Sequence, residues 1–302
     1  MELEFFTDPA AFLAAAGDLL AAEPVLGTVI AGVSDRTARE IADGFGSWTE
    51  VGAPFDRWWL AVRDEAGKVV SVSMRTAPFK PYPIFCLPMS DEAARALARA
   101  LHERGEFLGG ANGALPAVEV IADQTARLAG GTTEVRHSIR LWEATEVTMP
   151  AAPPGRLRRA VEADAALVLE WFTAFHVEAD EQAGREPDPT SGEHNTIDSV
   201  LLRIREGAEW LWETPSGEVV HLTGCSLPSY GVSRVGPVFT PREHRGAGIA
   251  SYVVGELTRL GLEAGDRMCL FTDRANPTSN KIYESLGYRP VVDMAHLRID
   301  LG

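Results

Sequence analysis

In the second half of this chain, segments with apolar residues at helical spacing alternate with short apolar runs typical of strands. Apolar residues recur at helical spacing in three segments, which predicts helices at 163–175, 197–204 and 246–264. Short apolar runs predict strands at 157–161, 232–239, 268–272 and 291–299. Asn276, Pro277 and Gly287 are typical of the N-cap, first position and end of one more helix. This order predicts a mixed α/β domain built on one central sheet.

The first half carries a similar pattern at a constant offset of 150 positions. The stretch 67–78 aligns with 217–228 without a gap, matching a glycine, two valines and a proline. Each stretch follows a tryptophan-containing apolar run. In both halves, the run and the stretch after it predict the two strands of a hairpin. Duplication of one fold and chance similarity between two hairpins both explain the match.

Length and a proline-rich seam agree with two domains. A chain of 302 residues suggests two domains of ordinary size. The segment 148–155 contains three prolines and a glycine without periodicity, which favours a linker. We therefore predict one domain at 1–147 and another at 156–302.

The composition excludes several classes of function. Forty-three acidic residues against 28 basic ones give a net charge of −15, which argues against binding nucleic acid or an anionic membrane. The three cysteines are far apart, so neither a disulfide framework nor a metal site is expected. The acidic start lacks the positive charge of a signal peptide, and the expected location is the cytoplasm.

The segment 238–251 is the strongest candidate for a ligand-binding loop. Gly246 and Gly248 lie between a predicted strand and a long helix, where the backbone can approach a ligand. The first amides of a helix lack internal partners and attract phosphate, and Arg245 adds a charged donor. A dinucleotide-binding loop is disfavoured because five residues separate the strand from the glycines. A Walker A phosphate-binding loop is excluded. A simple turn before the helix, in which the glycines bind no ligand, remains an alternative.

A second polar motif lies on the last predicted helix. Asn276, Ser279, Asn280 and Tyr283 are three and four positions apart and share one helix face. This face indicates either one side of a ligand cleft or an ordinary solvated surface.

The two motifs in this order resemble those of the GCN5-related N-acetyltransferases (GNATs). The sequence Arg-Gly-Ala-Gly-Ile-Ala at 245–250 is similar to that family's Arg/Gln-x-x-Gly-x-Gly/Ala signature, and 276–288 to its Asn…Tyr…Gly-aromatic motif. The resemblance covers roughly residues 155–300. It implies two tandem acyl-CoA N-acyltransferase-like domains, of which the first is a degenerate copy without the glycine pair.

The resemblance also implies a donor, acetyl-CoA, and roles for individual residues. The strand backbone at Val238, Phe239 and Thr240 would pair with the pantetheine arm, and Tyr283 would protonate the leaving thiolate. Asn276, Ser279 and Asn280 would contact the cofactor as well. The residues expected at the pyrophosphate are Arg245, Gly246, Ala247, Gly248, Ile249, Ala250 and Ser251.

The proton acceptor and the acceptor substrate are less defined. The strand 230–239 contains no carboxylate, so His221 on the preceding strand is a candidate base, although a structural hydrogen bond is the commoner role for such a histidine. Seven acidic residues within 170–193, among them Glu178, Asp180 and Glu181, would attract a cationic amine or simply serve solubility.

We therefore expect an acetyl-CoA-dependent N-acetyltransferase that acts on a small-molecule or peptide amine. The alternative is a protein that binds acyl-CoA without turnover. No metal is expected, and the sequence does not indicate the oligomeric state.

Overall fold

The computed structural model describes residues 1–42, 55–77, 79–187 and 195–302. The chain forms two compact units. Unit 1 consists of Met1–Leu141 together with Val291–Gly302, and unit 2 consists of Trp142–Pro290. These bounds differ from the predicted 1–147 and 156–302, because the last strand belongs with the first unit. Its apolar alternation marks it as a strand but does not encode its partner.

Unit 1 contains a sheet with two helices inserted between its first and second strands. Its elements are β1 (Glu2–Phe6), α1 (Pro9–Ala22), α2 (Thr28–Ala42), β2 (Trp58–Arg63), β3 (Val69–Arg75), β4 (Ile84–Cys86), α3 (Asp91–Glu103), β5 (Gly110–Ala114), α4 (Ala117–Ala129) and β6 (Thr132–Ala144). Neighbouring strands from β1 to β4 are antiparallel, and β4 and β5 are parallel.

Unit 2 repeats this order of elements. It contains β7 (Arg156–Arg159), α5 (Ala165–Gln182), α6 (Ile197–Arg205), β8 (Glu209–Glu213), β9 (Val219–Cys225), β10 (Val232–Phe239), α7 (Ile249–Glu263), β11 (Arg267–Asp273) and α8 (Pro277–Leu286). Strands β7 to β10 are antiparallel neighbours, and β10 and β11 are parallel. The final strand, β12 (Arg289–Asp300), pairs antiparallel with β5. The prediction of one mixed α/β fold used twice is confirmed.

Each sheet is covered by helices whose apolar faces follow from the sequence pattern. In unit 2, α7 presents Ile249, Val253 and Leu257 to Trp212 and Val220. In unit 1, the strand β2 is buried along Trp58–Val62, as expected for a strand between two layers. Pro78, which belongs to the aligned hairpins, lies outside the described residues.

The parallel strands of the two units differ at their C-terminal ends. In unit 2, β10 pairs with β11 only from Val232 to Val235, although β10 continues to Phe239. In unit 1, β4 stays paired with β5 through its last residue, Cys86, opposite Gly113. Gly113 has a φ of +148°, and a Cβ there would lie 2.2 Å from the Cys86 carbonyl oxygen. The split between strands is thus a feature of β10 and β11.

Candidate functional site

The split between β10 and β11 opens into a cavity of about 760 Å³ in unit 2. Most of the predicted site residues line it, namely Val238, Phe239, Thr240, Arg245, Gly246, Ala247, Gly248, Ile249, Ala250, Ser251, Asn276, Ser279, Tyr283 and Glu178. Phe175 and Gln182 of α5 and Asp273 of β11 complete the wall. Asn280, His221, Asp180 and Glu181 do not line this cavity. The two sequence motifs therefore meet at one site.

The N-terminus of α7 faces the cavity without a side-chain cap. Its N-cap is Gly248, with a φ of +76°, and Gly246 has a φ of +80°. A Cβ at either glycine would meet no atom within 4 Å, so the space beside the backbone is open. In unit 1, by contrast, the Ser90 side chain accepts a hydrogen bond from Ala93 N and caps α3. Only α7 thus leaves its first amides open toward a cavity in this comparison.

Two arginines of the loop that precedes α7 are paired with carboxylates of α5. Arg245 donates from Nε to the Thr240 carbonyl oxygen over 2.8 Å and from Nη2 to Glu178. Arg242 Nε lies 3.5 Å from Glu178 Oε2, and its Nη2 donates to Glu181. Arg245, the positive charge expected at a phosphate site, is present, but it is paired with Glu178.

The polar residues at the start of α8 organise the helix itself. Asn276 is the N-cap, where its Oδ1 accepts from Ser279 N over 3.1 Å and its Nδ2 donates to Gln182 Oε1 over 3.0 Å. Asn280 donates from Nδ2 to the carbonyl oxygens of Asp273 and Arg274, at 3.4 and 3.3 Å. The predicted cofactor contacts of Asn276 and Ser279 stay predictions, whereas Asn280 points its amide to the end of β11.

Tyr283 brings a phenol to the cavity wall from α8. Its side chain is buried, with 8% of the residue exposed, and burial raises the pKa of the phenol to about 12. The phenol therefore stays protonated at neutral pH and retains a proton to donate.

His221 lies inside unit 2, directly behind the cavity-lining Thr240, and does not itself line the cavity. It is fully buried, and its Nδ1 and Nε2 lie 2.7 Å from Thr240 Oγ1 and 2.6 Å from Thr223 Oγ1. Burial lowers the pKa of the imidazole to about 3. Of the two roles that the sequence left open, this geometry favours the structural one.

The acidic residues expected at the acceptor side are largely paired. Asp180 is buried and accepts from Arg185 Nε over 3.0 Å, while Arg185 Nη2 reaches Asp273. Glu181 pairs with Arg242. Asp188 and Glu193 of the same stretch lie outside the described residues. Asp180 and Glu181, like Glu178, are therefore paired with arginines rather than left free for a cationic substrate.

One buried carboxylate was not anticipated from the sequence. Glu209 at the start of β8 is fully buried, and its Oε1 accepts from Arg203 Nε over 2.5 Å. Burial raises its carboxyl pKa, and Oε2 has no hydrogen-bond partner among the residues that the structure describes. A charged residue that opens the apolar run Glu-Trp-Leu-Trp was the available signal.

The described residues hold no cluster of three or more histidine, cysteine or acidic side chains that could bind a metal ion. Among the helices of the described residues, none combines the length and the apolar character needed to cross a bilayer.

The fold and this cavity define the acyl-CoA N-acyltransferase architecture, present here in tandem. Residues 215–297 match the family model described as FR47-like protein. This match includes the glycine loop and α8. The resemblance to GNAT proteins that the two motifs predicted is confirmed.

Solved structures carry the same fold along the whole chain. An acetyltransferase of the GNAT family from Colwellia psychrerythraea is 12% identical, with a TM-score of 0.51 and full coverage of both chains. A GCN5-related N-acetyltransferase from Sphaerobacter thermophilus is 16% identical, with a TM-score of 0.54 over 99% of this chain and 96% of that one. A tandem GNAT protein from the clavulanic acid biosynthesis pathway is 13% identical, with a TM-score of 0.54 over 99% and 98%. No curated protein matches the chain significantly.

Proposed function

We propose that this protein is an N-acetyltransferase that uses acetyl-CoA as donor and a primary amine as acceptor, with its active site in unit 2. The observation that carries the proposal is the uncapped N-terminus of α7 beside the split between β10 and β11. An anionic ligand with a long polar arm fits both features at once. Unit 1 keeps its parallel strands paired and caps α3, which supports its role as a degenerate copy.

The donor would lie along the cavity in two parts. The diphosphate would accept hydrogen bonds from the amides of 246–251, where the helix dipole favours negative charge. The pantetheine arm would pair with the backbone of Val238, Phe239 and Thr240, because β10 has no strand partner on the β11 side there. This placement brings the thioester end into the split and toward Tyr283.

The chemistry would be direct attack of a neutral amine on the thioester carbonyl carbon. A C–N bond forms and the carbonyl oxygen takes up the electron pair of the C=O bond. That pair then re-forms the C=O bond as the C–S bond breaks and releases the thiolate. The Tyr283 hydroxyl would give its proton to that sulfur, and the proton lost by the amine nitrogen would restore the phenol through solvent. General acid catalysis of this kind contributes about 10²–10⁴-fold.

The acceptor is proposed only as a primary amine of a small molecule or peptide. Glu178, Asp180 and Glu181 are each paired with an arginine, so they give little support to a specifically cationic acceptor. His221 is not assigned a catalytic role, because both of its ring nitrogens are occupied by threonine hydroxyls.

The proposal is tested by calorimetric titration with CoA and by thiol release from acetyl-CoA in the presence of a panel of amines. We expect CoA binding and amine-dependent release of free thiol. Binding without turnover on any amine would favour an acyl-CoA-binding protein that is not an enzyme. Absence of CoA binding would overturn the site assignment itself.

A further inference from the structure

Arg242 and Arg245, in the loop that precedes α7, are paired with carboxylates of α5. Glu178 contacts Arg245 and Arg242 together, and Glu181 contacts Arg242. The four side chains have no net charge. Any phosphate that approaches either guanidinium therefore meets a carboxylate already paired with it.

Of the two carboxylates in this group, Glu178 is the one that faces the cavity. It lines the cavity together with Arg245 and the glycine loop, and only 17% of its side chain is exposed. Glu181 lies off this wall, with 44% of its side chain exposed. Charge interactions are screened less at the buried position, so Glu178 has the larger effect on an incoming anion.

We infer that Glu178 is an internal competitor for the anion site and sets the affinity of unit 2 for the phosphate-bearing part of its ligand. The carboxylate is paired with Arg245, and it repels a diphosphate that binds the neighbouring amides of α7. Acyl-CoA competes with it for Arg245, so Glu178 weakens the binding of phosphate-bearing ligands and leaves that of uncharged ligands unchanged. This inference rests on the proposed function, since it assumes that the phosphates bind at this loop.

Glu178→Gln tests the idea, because it removes the charge and keeps the size and a hydrogen-bonding oxygen. Glu170→Gln is the matched control, since it lies two turns earlier on α5 and forms no ion pair with either arginine. Calorimetric dissociation constants would be compared for CoA, inorganic pyrophosphate and pantetheine, which lacks phosphate.

We expect Glu178→Gln to bind CoA and pyrophosphate about fivefold tighter, the scale of a partly exposed charge pair. Pantetheine binding should be unchanged by Glu178→Gln, and all three constants should be unchanged by Glu170→Gln. A thermal unfolding scan of each variant checks that the fold is intact. If Glu178→Gln unfolds, Glu178→Asp is measured in its place. This variant keeps the charge and should bind CoA close to wild type.

Equal or weaker CoA binding by folded Glu178→Gln would overturn the inference and show that Glu178 serves to orient Arg245. So would a gain that appears equally with pantetheine. If the wild-type protein does not bind CoA at all, the proposed function fails instead, and the two failures are distinguishable.

Discussion

Tyr283 and Tyr288 meet edge to face in unit 2, with ring centroids 6.0 Å apart and an angle of 66° between their planes. Their hydroxyls differ in surroundings. The Tyr288 hydroxyl forms a 2.7 Å hydrogen bond with Thr258 Oγ1. Tyr283, by contrast, lines the cavity. Two adjacent phenols thus have different surroundings, one in the core and one in the cavity wall.

Tyr283→Phe should lower kcat by about 10²-fold or more and leave CoA affinity nearly unchanged, because only the proton donor is removed. Tyr288→Phe should leave kcat close to wild type and lower the free energy of unfolding by about 1 kcal/mol, the loss of one buried hydrogen bond. Steady-state kinetics with the best acceptor amine and urea unfolding measure the two effects. Full activity of Tyr283→Phe would exclude Tyr283 as the general acid.

The pH dependence of Tyr283 follows from its burial. Because the pKa of its phenol is raised to about 12, the protonated form persists through the range in which most enzymes are assayed. We expect no loss of kcat attributable to this phenol between pH 7 and 10. An alkaline limb below pH 10 that disappears in Tyr283→Phe would contradict this assignment.

The glycine loop is tested by adding a carboxylate where a phosphate is expected. Gly248→Asp should weaken CoA binding at least tenfold, because the new charge lies at the open α7 amides. Gly265→Asp is the matched control, with a φ of +90° against +76° and no atom within 4 Å of its Cβ position. Both changes carry a similar backbone cost of about 1–2 kcal/mol. The free energy of unfolding reports this strain in both variants, whereas charge repulsion appears only in the CoA affinity of Gly248→Asp. Similar CoA affinities in the two variants would refute the phosphate assignment.

Local signals made much of this site predictable. The strand at Val232–Phe239 and the cap residues Asn276 and Gly287 were predicted from short stretches, because turn and cap chemistry depends on neighbours in sequence. The pairing of Arg245 with Glu178 was not predictable, since 67 residues separate them. The same holds for β12, whose alternation indicates a strand but not that its partner is β5.

His221 illustrates the same limit, because its neighbours rather than its residue type decide its role. Its pKa is lowered to about 3, so between pH 6.5 and 3 the unfolded chain binds a proton that the folded protein does not. Stability should therefore fall as pH drops through this range, by up to about 1.4 kcal/mol per pH unit from this group. The loss should start near pH 6.5.

His221→Gln should be less stable than wild type at pH 7.5, and the gap should shrink by about 2–3 kcal/mol on going to pH 4.5. Urea unfolding at a series of pH values measures the gap, and the other histidines cancel in the difference. The shape of the kcat/KM profile with pH should be the same in both proteins. A limb of that profile that vanishes with the imidazole would instead restore His221 as a base.

Arg203→Met tests the buried ion pair that joins α6 to β8. Removing this partner leaves the Glu209 carboxylate buried without a counter-charge, which costs about 3–5 kcal/mol at neutral pH. Burial already raises the carboxyl pKa, so Glu209 will take up a proton as the pH falls, and the destabilisation should be smaller at pH 5 than at pH 8. Arg205→Met is the matched control, because its pair with Glu162 is exposed on both sides and is worth at most about 1 kcal/mol. Equal losses in the two variants, or a loss independent of pH, would show that the Arg203–Glu209 pair does not carry this stability.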